Sequence, residues 1–279
     1  MTTAFVFGGG GLLGASEVGM LRALIERGHR PDLVLGTSIG AINGAVVAAD
    51  PTPGCVTTLV ETWESMSGSD LFAGPLKRLR VAATTRTHLH SIEPLRALIE
   101  AELGPIGIED LAVPFQCCAA SIERAAETWF DSGSLATAVA ASCAVPGLFG
   151  PVEIDGEHFF DGGLVNSLPV GRAVALGADV VWVLHVGRIE QPLTVPTRPW
   201  EVAMVAFEIA RRHRFAADMA AVPPGVKVHV LPAGEIRSPS ANLRYRDTQR
   251  VRGRIEAAYQ ASRVFLDQLP APSRPPTTA

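Results

Sequence analysis

The chain has 279 residues, 47% of them hydrophobic, with no long polar tract before its last ten positions; that is enough to bury a sizeable core, and one domain over 1–270 is expected. Its formal charge of −4 gives no global attraction to nucleic acid, so no nucleic-acid partner is expected, and the charge says nothing about substrate. No run approaches the roughly 18 apolar residues of a membrane span, and "MTTAFVFGGGG" lacks the basic and apolar regions of a signal peptide, so a cytosolic location is expected.

The first elements are a strand at 3–7, "TAFVF", and a helix at about 12–27 with Leu13, Val18, Leu21, Leu24 and Ile25 at three- and four-residue spacing, stopped by Gly28. A second strand, "DLVLG" at 32–36, leads to a helix from near Ser38, whose small residues Gly40, Ala41, Gly44, Ala45 and Ala48 let it pack close to a sheet. Cys55, Cys117, Cys118 and Cys143 lie among apolar or small residues without C-x-x-C spacing and read as buried thiols, not zinc ligands or disulfides. Residues 67–90, rich in Gly, Pro and basic side chains, break the rhythm and read as an insertion or lid; Met66, Leu71, Phe72 and Leu76 fit an acyl-chain entrance or ordinary core equally well.

Beyond that point strands are expected at 114–122, 127–130, 158–160, 179–186 and 226–231, and helices near 92–102, 134–142, 170–176, 198–221 and 243–268. The alternation is that of an α/β fold, with a largely parallel central sheet flanked by helices. The basic clusters "RRHR" (211–214) and "RYRDTQRVRGR" (244–254) read as solvated helix faces, because Asp218, Asp247 and Glu256 interrupt them. Residues 271–279 read as a disordered Pro-rich tail.

Three stretches carry chemistry. The first is the run Gly8 to Gly11, between the first strand and the first helix. Such a junction lets main-chain N–H groups approach an anion, either a standing phosphate or the transient charge on a reacting carbonyl oxygen. The second is Gly36-Thr37-Ser38-Ile39-Gly40, a G-x-S-x-G sequence between a strand and a helix, where the two glycines permit a sharp turn that exposes the serine hydroxyl at a helix N-terminus. The third is Phe159-Phe160-Asp161-Gly162-Gly163, a carboxylate after a short aromatic strand on a turn made by two glycines. Asp161 could equally be a turn-former that bonds its own backbone.

A serine nucleophile needs a base and an oxyanion site. The amides of Gly10 and Gly11 are candidates for the second, and His158, His185, His229 and the acidic residues for the first. The glycines also fit G-x-G-x-x-G from Gly9 to Gly14, but a dinucleotide site wants an acidic residue at the end of the second strand, about 20 residues on. That strand ends at Ser38, and Asp32 stands at its beginning.

Taken in order, "GGGGLLG", "GTSIG" and "DGG", the last preceded by "ASCAVPGLFGPVEIDGEHFF", resemble the patatin-like phospholipase family over roughly residues 4–190. The resemblance implies a three-layer sandwich with Ser38 as nucleophile and Asp161 as base of a Ser–Asp dyad. It further implies an oxyanion loop of Gly9, Gly10 and Gly11, supported by Gly14, Gly36, Gly40, Gly162 and Gly163, and no separate histidine, cofactor or metal. Its substrates would be phospholipids, lysophospholipids or other acyl-ester lipids, with peripheral contact at a membrane surface. The family usually carries Arg or Lys before the last glycine of the first motif, where this chain has Leu13. Two other readings remain: a non-catalytic lipid-binding or regulatory protein on the same scaffold, and an α/β-hydrolase esterase with a Ser–Asp–His triad using His185 or His229. An acyl-carrier transacylase would want a partner histidine and a carboxylate-binding Arg that the sequence does not identify.

Overall fold

The computed structural model describes residues 1–68, 87–186, 192–234 and 248–269. Most of the expected lid, including Leu71, Phe72 and Leu76, and the expected tail at 271–279 lie outside the described residues. The strands are β1 (Thr3–Phe7), β2 (Leu33–Thr37), β3 (Phe115–Ser121), β4 (Ala126–Phe130), β5 (Val152–Ile154), β6 (Glu157–Asp161), β7 (Val180–Leu184) and β8 (Lys227–Val230). The helices are α1 (Ala15–Glu26), α2 (Ile39–Ala49), α3 (Gly54–Gly68), α4 (Glu93–Leu103), α5 (Leu135–Ser142), α6 (Val170–Ala175), α7 (Pro199–Ala220) and α8 (Thr248–Gln268).

The strands form a single sheet in the order β5-β6-β3-β2-β1-β7-β8, with β4 beside β3. β3, β2, β1, β7 and β8 run parallel, while β4, β6 and β5 join antiparallel. Alternate residues of the central strands feed two cores, because successive side chains on a strand point to opposite faces. Phe5, Phe7, Val34, Trp182 and Leu184 pack under α1 to α5 and α8, whereas Ala4, Val6, Leu33, Leu35, Val181 and Val183 pack under α6 and α7. The result is a three-layer α/β/α sandwich whose central strands are buried on both faces, as parallel strands require.

The register of β3 brings distant segments together. β2 pairs with Phe115 to Cys118 and ends at Thr37 opposite Cys118; β6 pairs with Ala119 to Ser121 and ends at Asp161 opposite Ala119. β4 overlaps both partners along β3 and so occupies the other edge. β2 and β6 therefore follow one another along the same edge, and the residue after Thr37 arrives beside Asp161.

Three elements differ from the sequence reading. α3 was not expected, since its Val and Thr content masks an apolar stripe of Cys55, Leu59 and Trp63 that is buried against the core. β5 is only three residues long and is held by a two-residue hairpin to β6, in which Asp155 (φ 52°) and Gly156 (φ 80°) supply the two positive φ values such a turn demands. The first helix begins at Ala15, not near residue 12; Gly11–Gly14 form a 3-10 turn, and Leu13, expected on the helix's buried stripe, is 38% exposed. The C-terminal part is built into the same framework: β8 extends the sheet, and α8 crosses α1 so closely that a methyl group on Gly19 would lie 2.0 Å from the Ile255 carbonyl oxygen.

Candidate active site

Ser38 sits between β2 and α2 with φ 56° and ψ −127°, a conformation that non-glycine residues rarely adopt. The turn is closed by backbone crowding. A Cβ on Gly36 would lie 2.6 Å from both Ala41 Cα and the Gly40 oxygen, and one on Gly40 would lie 2.4 Å from the Phe7 oxygen. Two glycines are thus the condition for α2 to start directly against the strand ends. The strained residue is held from the next layer: Ser142 Oγ accepts the Ser38 N–H at 2.8 Å and donates to the Cys118 carbonyl at 2.6 Å, while Thr37 Oγ1 donates to the Asn166 carbonyl at 2.8 Å.

Ser38 Oγ donates to Asp161 Oδ2 at 2.5 Å. The other carboxylate oxygen accepts the Gly163 N–H at 2.7 Å, so both oxygens are oriented. Gly162 leaves room for the Cys118 carbonyl, which a Cβ would approach to 2.1 Å, and a Cβ on Gly163 would lie 2.7 Å from Phe207. Asp161 is 1% exposed. Burial pushes its carboxyl up to about 6, against the opposing hydrogen bonds from Ser38 and the Gly163 N–H.

The glycine run crosses above this pair. A methyl group on Gly9 would lie 3.0 Å from Ser167 Oγ and 3.4 Å from Ser38 Cβ. The Gly8 N–H donates to the Leu184 carbonyl (2.9 Å) and to Glu17 Oε1 (3.0 Å), and the Gly9 N–H donates to the Ser167 carbonyl at 3.0 Å. Of the three glycines expected to hold an anion, Gly9 therefore has its N–H engaged. Those of Gly10 and Gly11 donate to no other described group, and both residues are exposed.

Residues that sequence reasoning missed surround the loop. Glu17 is fully buried, and its second oxygen accepts Asn43 Nδ2 at 2.8 Å; Asn43 also bonds the Gly14 carbonyl and takes the Trp63 indole N–H. Burial raises the Glu17 carboxyl well above the usual range, opposed by the Asn43 and Gly8 hydrogen bonds and the charge of Arg211. A carboxylate on the apolar stripe of α1, four residues from Leu21, was the available signal. Arg211, read in the sequence as solvated, is 5% exposed and donates to the Gly9 carbonyl. Nothing in "RRHR" distinguishes it from its neighbours.

None of the three candidate histidines is bonded to Ser38 or Asp161. His158 is paired with Glu123, His229 stacks on Trp182 with ring centroids 4.4 Å apart, and His185 is buried just beyond β7 with Nδ1 unpartnered among the described residues and its ring pushed down to about 4, mainly by burial. All four cysteines are buried. No helix among the described residues is long and apolar enough to cross a membrane, and they contain no group of three or more His, Cys, Asp or Glu placed to hold a metal ion.

Comparison with known proteins finds relatives of this chain. An uncharacterised NTE family protein of Mycobacterium tuberculosis is 31% identical over 189 residues, which cover 63% of this chain and 47% of that protein. Lysophospholipase nte1 of Aspergillus terreus is 33% identical over 190 residues, covering 68% of this chain and 12% of that protein. The chain thus spans less than half the length of these relatives. VipD from Legionella pneumophila is similar in structure with a TM-score of 0.46 and 14% identity, over 95% of this chain and 66% of that one. Residues 5–174, which hold the glycine run, Ser38 and Asp161, match the family described as patatin-like phospholipase, and the chain belongs to that family.

Proposed function

We propose that the protein is a lipid acyl-ester hydrolase of the phospholipase A or lysophospholipase type, with Ser38 as nucleophile and Asp161 as general base. The observation that carries this reading is the 2.5 Å hydrogen bond from Ser38 Oγ to a carboxylate that is itself buried and oriented by the Gly163 N–H. A free aspartate, near 3.9, is a weak base; lifted to about 6, Asp161 is still ionised at neutral pH and holds a proton more firmly.

In the first step Ser38 Oγ attacks the ester carbonyl carbon as its proton passes to Asp161 Oδ2, and the carbonyl oxygen becomes an oxyanion. The N–H groups of Gly10 and Gly11 receive that charge; one such donor is worth roughly 3–4 kcal/mol of barrier. The C–O bond to the alcohol or lysolipid then breaks, and the leaving oxygen takes the proton from Asp161. Water repeats the path on the acyl-serine, giving up a proton to Asp161 and releasing the fatty acid, while the proton returns to Ser38. The strained Ser38 backbone keeps the hydroxyl clear of the sheet throughout.

The substrate class follows the family and the lysophospholipase named among the relatives. Lysophosphatidylcholine and a diacyl phospholipid in mixed micelles are the direct test, with fatty acid as the product measured. Release that disappears in Ser38→Ala is the expected result. Release undiminished in that variant would refute the assignment.

A further inference from the structure

We infer that Arg211 is a positioning residue for the glycine loop: its guanidinium grips two main-chain carbonyls and thereby fixes the direction of the Gly10 N–H. The inference rests on the hydrolase reading above, because it assigns that N–H to the oxyanion. Arg211 lies on α7, beyond the stretch matched to the family.

β1 and β7 pair as far as Phe7 and Leu184, and one more bond, Gly8 N–H to the Leu184 carbonyl, continues the ladder. Past it, the carbonyls of Gly9 and Val186 are both acceptors and cannot bond each other. Arg211 bridges them, Nη1 to the Gly9 oxygen at 3.1 Å and Nη2 to the Val186 oxygen at 3.2 Å. Its Nε and Nη2 are anchored on Glu208 at 2.9 and 3.3 Å, so the planar fork is held from behind while it reaches forward. "GGGGLLG" contains no cation of its own, and the charge at the loop's edge comes from this arginine.

The consequence for the loop follows from peptide geometry. The Gly9 carbonyl and the Gly10 N–H belong to one planar, trans peptide group, so they point in opposite directions. A grip on the carbonyl oxygen therefore aims the N–H the other way. Between two glycines no Cβ opposes rotation of that plane, and without the grip the peptide is free to turn its N–H elsewhere. A cation on the carbonyl also polarises the amide and strengthens its N–H as a donor.

The test is turnover of a short, water-soluble p-nitrophenyl ester by the full chain carrying Arg211→Met, Arg211→Ala, Arg211→Lys or Arg212→Met, with thermal melting and fluorophosphonate labelling of Ser38 alongside. A misaimed oxyanion donor lowers kcat by at least about tenfold and leaves KM within about twofold. Added guanidinium restores part of the lost kcat in Arg211→Ala and none in Ser38→Ala. Arg211→Lys, which keeps the charge but reaches one carbonyl, falls between, and this variant decides the matter if the others do not fold. Arg212→Met, whose Nε bonds Glu208 at 2.8 Å, keeps the wild-type kcat. Wild-type kcat in a folded Arg211→Met or Arg211→Lys protein, absence of guanidinium rescue, or an equal loss in Arg212→Met would overturn the inference while leaving the hydrolase standing. An inactive, unlabelled wild-type protein would instead remove the hydrolase reading, and the inference with it.

Discussion

The two glycine-rich turns at the carboxyl end of the sheet are built in opposite ways. The turn around Ser38 is closed by main chain: Gly36 and Gly40 are pressed against backbone atoms of their own segment and of Phe7, while Ser142 and the Asn166 carbonyl bond it from outside. The Gly8–Gly11 loop has no such closure. Its atoms are held by Glu17 on α1, the Ser167 carbonyl and Arg211 on α7, and the nearest atoms a Cβ on Gly10 would meet belong to the side chain of Val186, 1.5 Å away at Cγ2. A serine on a strained turn can be placed by backbone crowding, whereas a run of glycines with bare N–H groups has no side chains with which to brace itself.

The largest effects belong to the pair itself. Ser38→Ala and Asp161→Asn should each lower ester turnover by about 10³-fold with the fold intact, since nucleophile and base act as one unit. Next come substitutions that separate the two kinds of turn. Gly36→Ala drives a Cβ into backbone that cannot yield, and a loss of roughly 1–3 kcal/mol in stability is expected, with no second-site cure. Gly10→Ala meets a side chain instead, so it should lower kcat by about 10²-fold, and Val186→Ala in the same protein, which removes Cγ2 but leaves a Cβ 2.9 Å away, should recover part of the loss. If Gly10→Ala alone has wild-type kcat, or if Val186→Ala gives no recovery, the contrast between the turns is wrong.

A smaller effect is expected from pH. Activity should rise as Asp161 ionises, with an apparent pKa near 6. Because burial raises this carboxyl in the folded state, the folded protein binds its proton more tightly than the unfolded chain. Its contribution to stability is therefore full below the free-aspartate value and is lost as pH rises towards about 6. Asp161→Asn should accordingly raise Tm at neutral pH and flatten its pH dependence, and an unchanged melting profile would count against the buried charge. Least affected should be His185→Ala and His229→Ala, which retain turnover within a few-fold if the pair works without a histidine; near-total loss in either would point to a triad.

Most of the scaffold was legible because its signals are local. Runs such as "TAFVF" and "DVVWVLHV" announce buried strands, and G-x-S-x-G between strand and helix announces the turn around Ser38. The closeness of Ser38 and Asp161 was implied only by the family resemblance of the ordered motifs, and the register on β3 that brings them together could not be read. The bracing was not legible. Arg211 lies 202 residues from the carbonyl it grips, and in "RRHR" it looks like any charged helix face. α3 was hidden by β-branched residues whose packing overrides their weak helix propensity. Leu13 was misread because a 3-10 turn precedes the helix and shifts the phase of its stripe.

In the proposed mechanism Ser38 is an activated nucleophile whose base is Asp161. Incubation of the purified protein with a fluorophosphonate, followed by peptide mass spectrometry beside Ser38→Ala and Asp161→Asn, tests it most directly. One adduct is expected, on Ser38, absent from the first variant and strongly slowed in the second. A folded wild-type protein without an adduct, or an Asp161→Asn protein labelled at the wild-type rate, would contradict it.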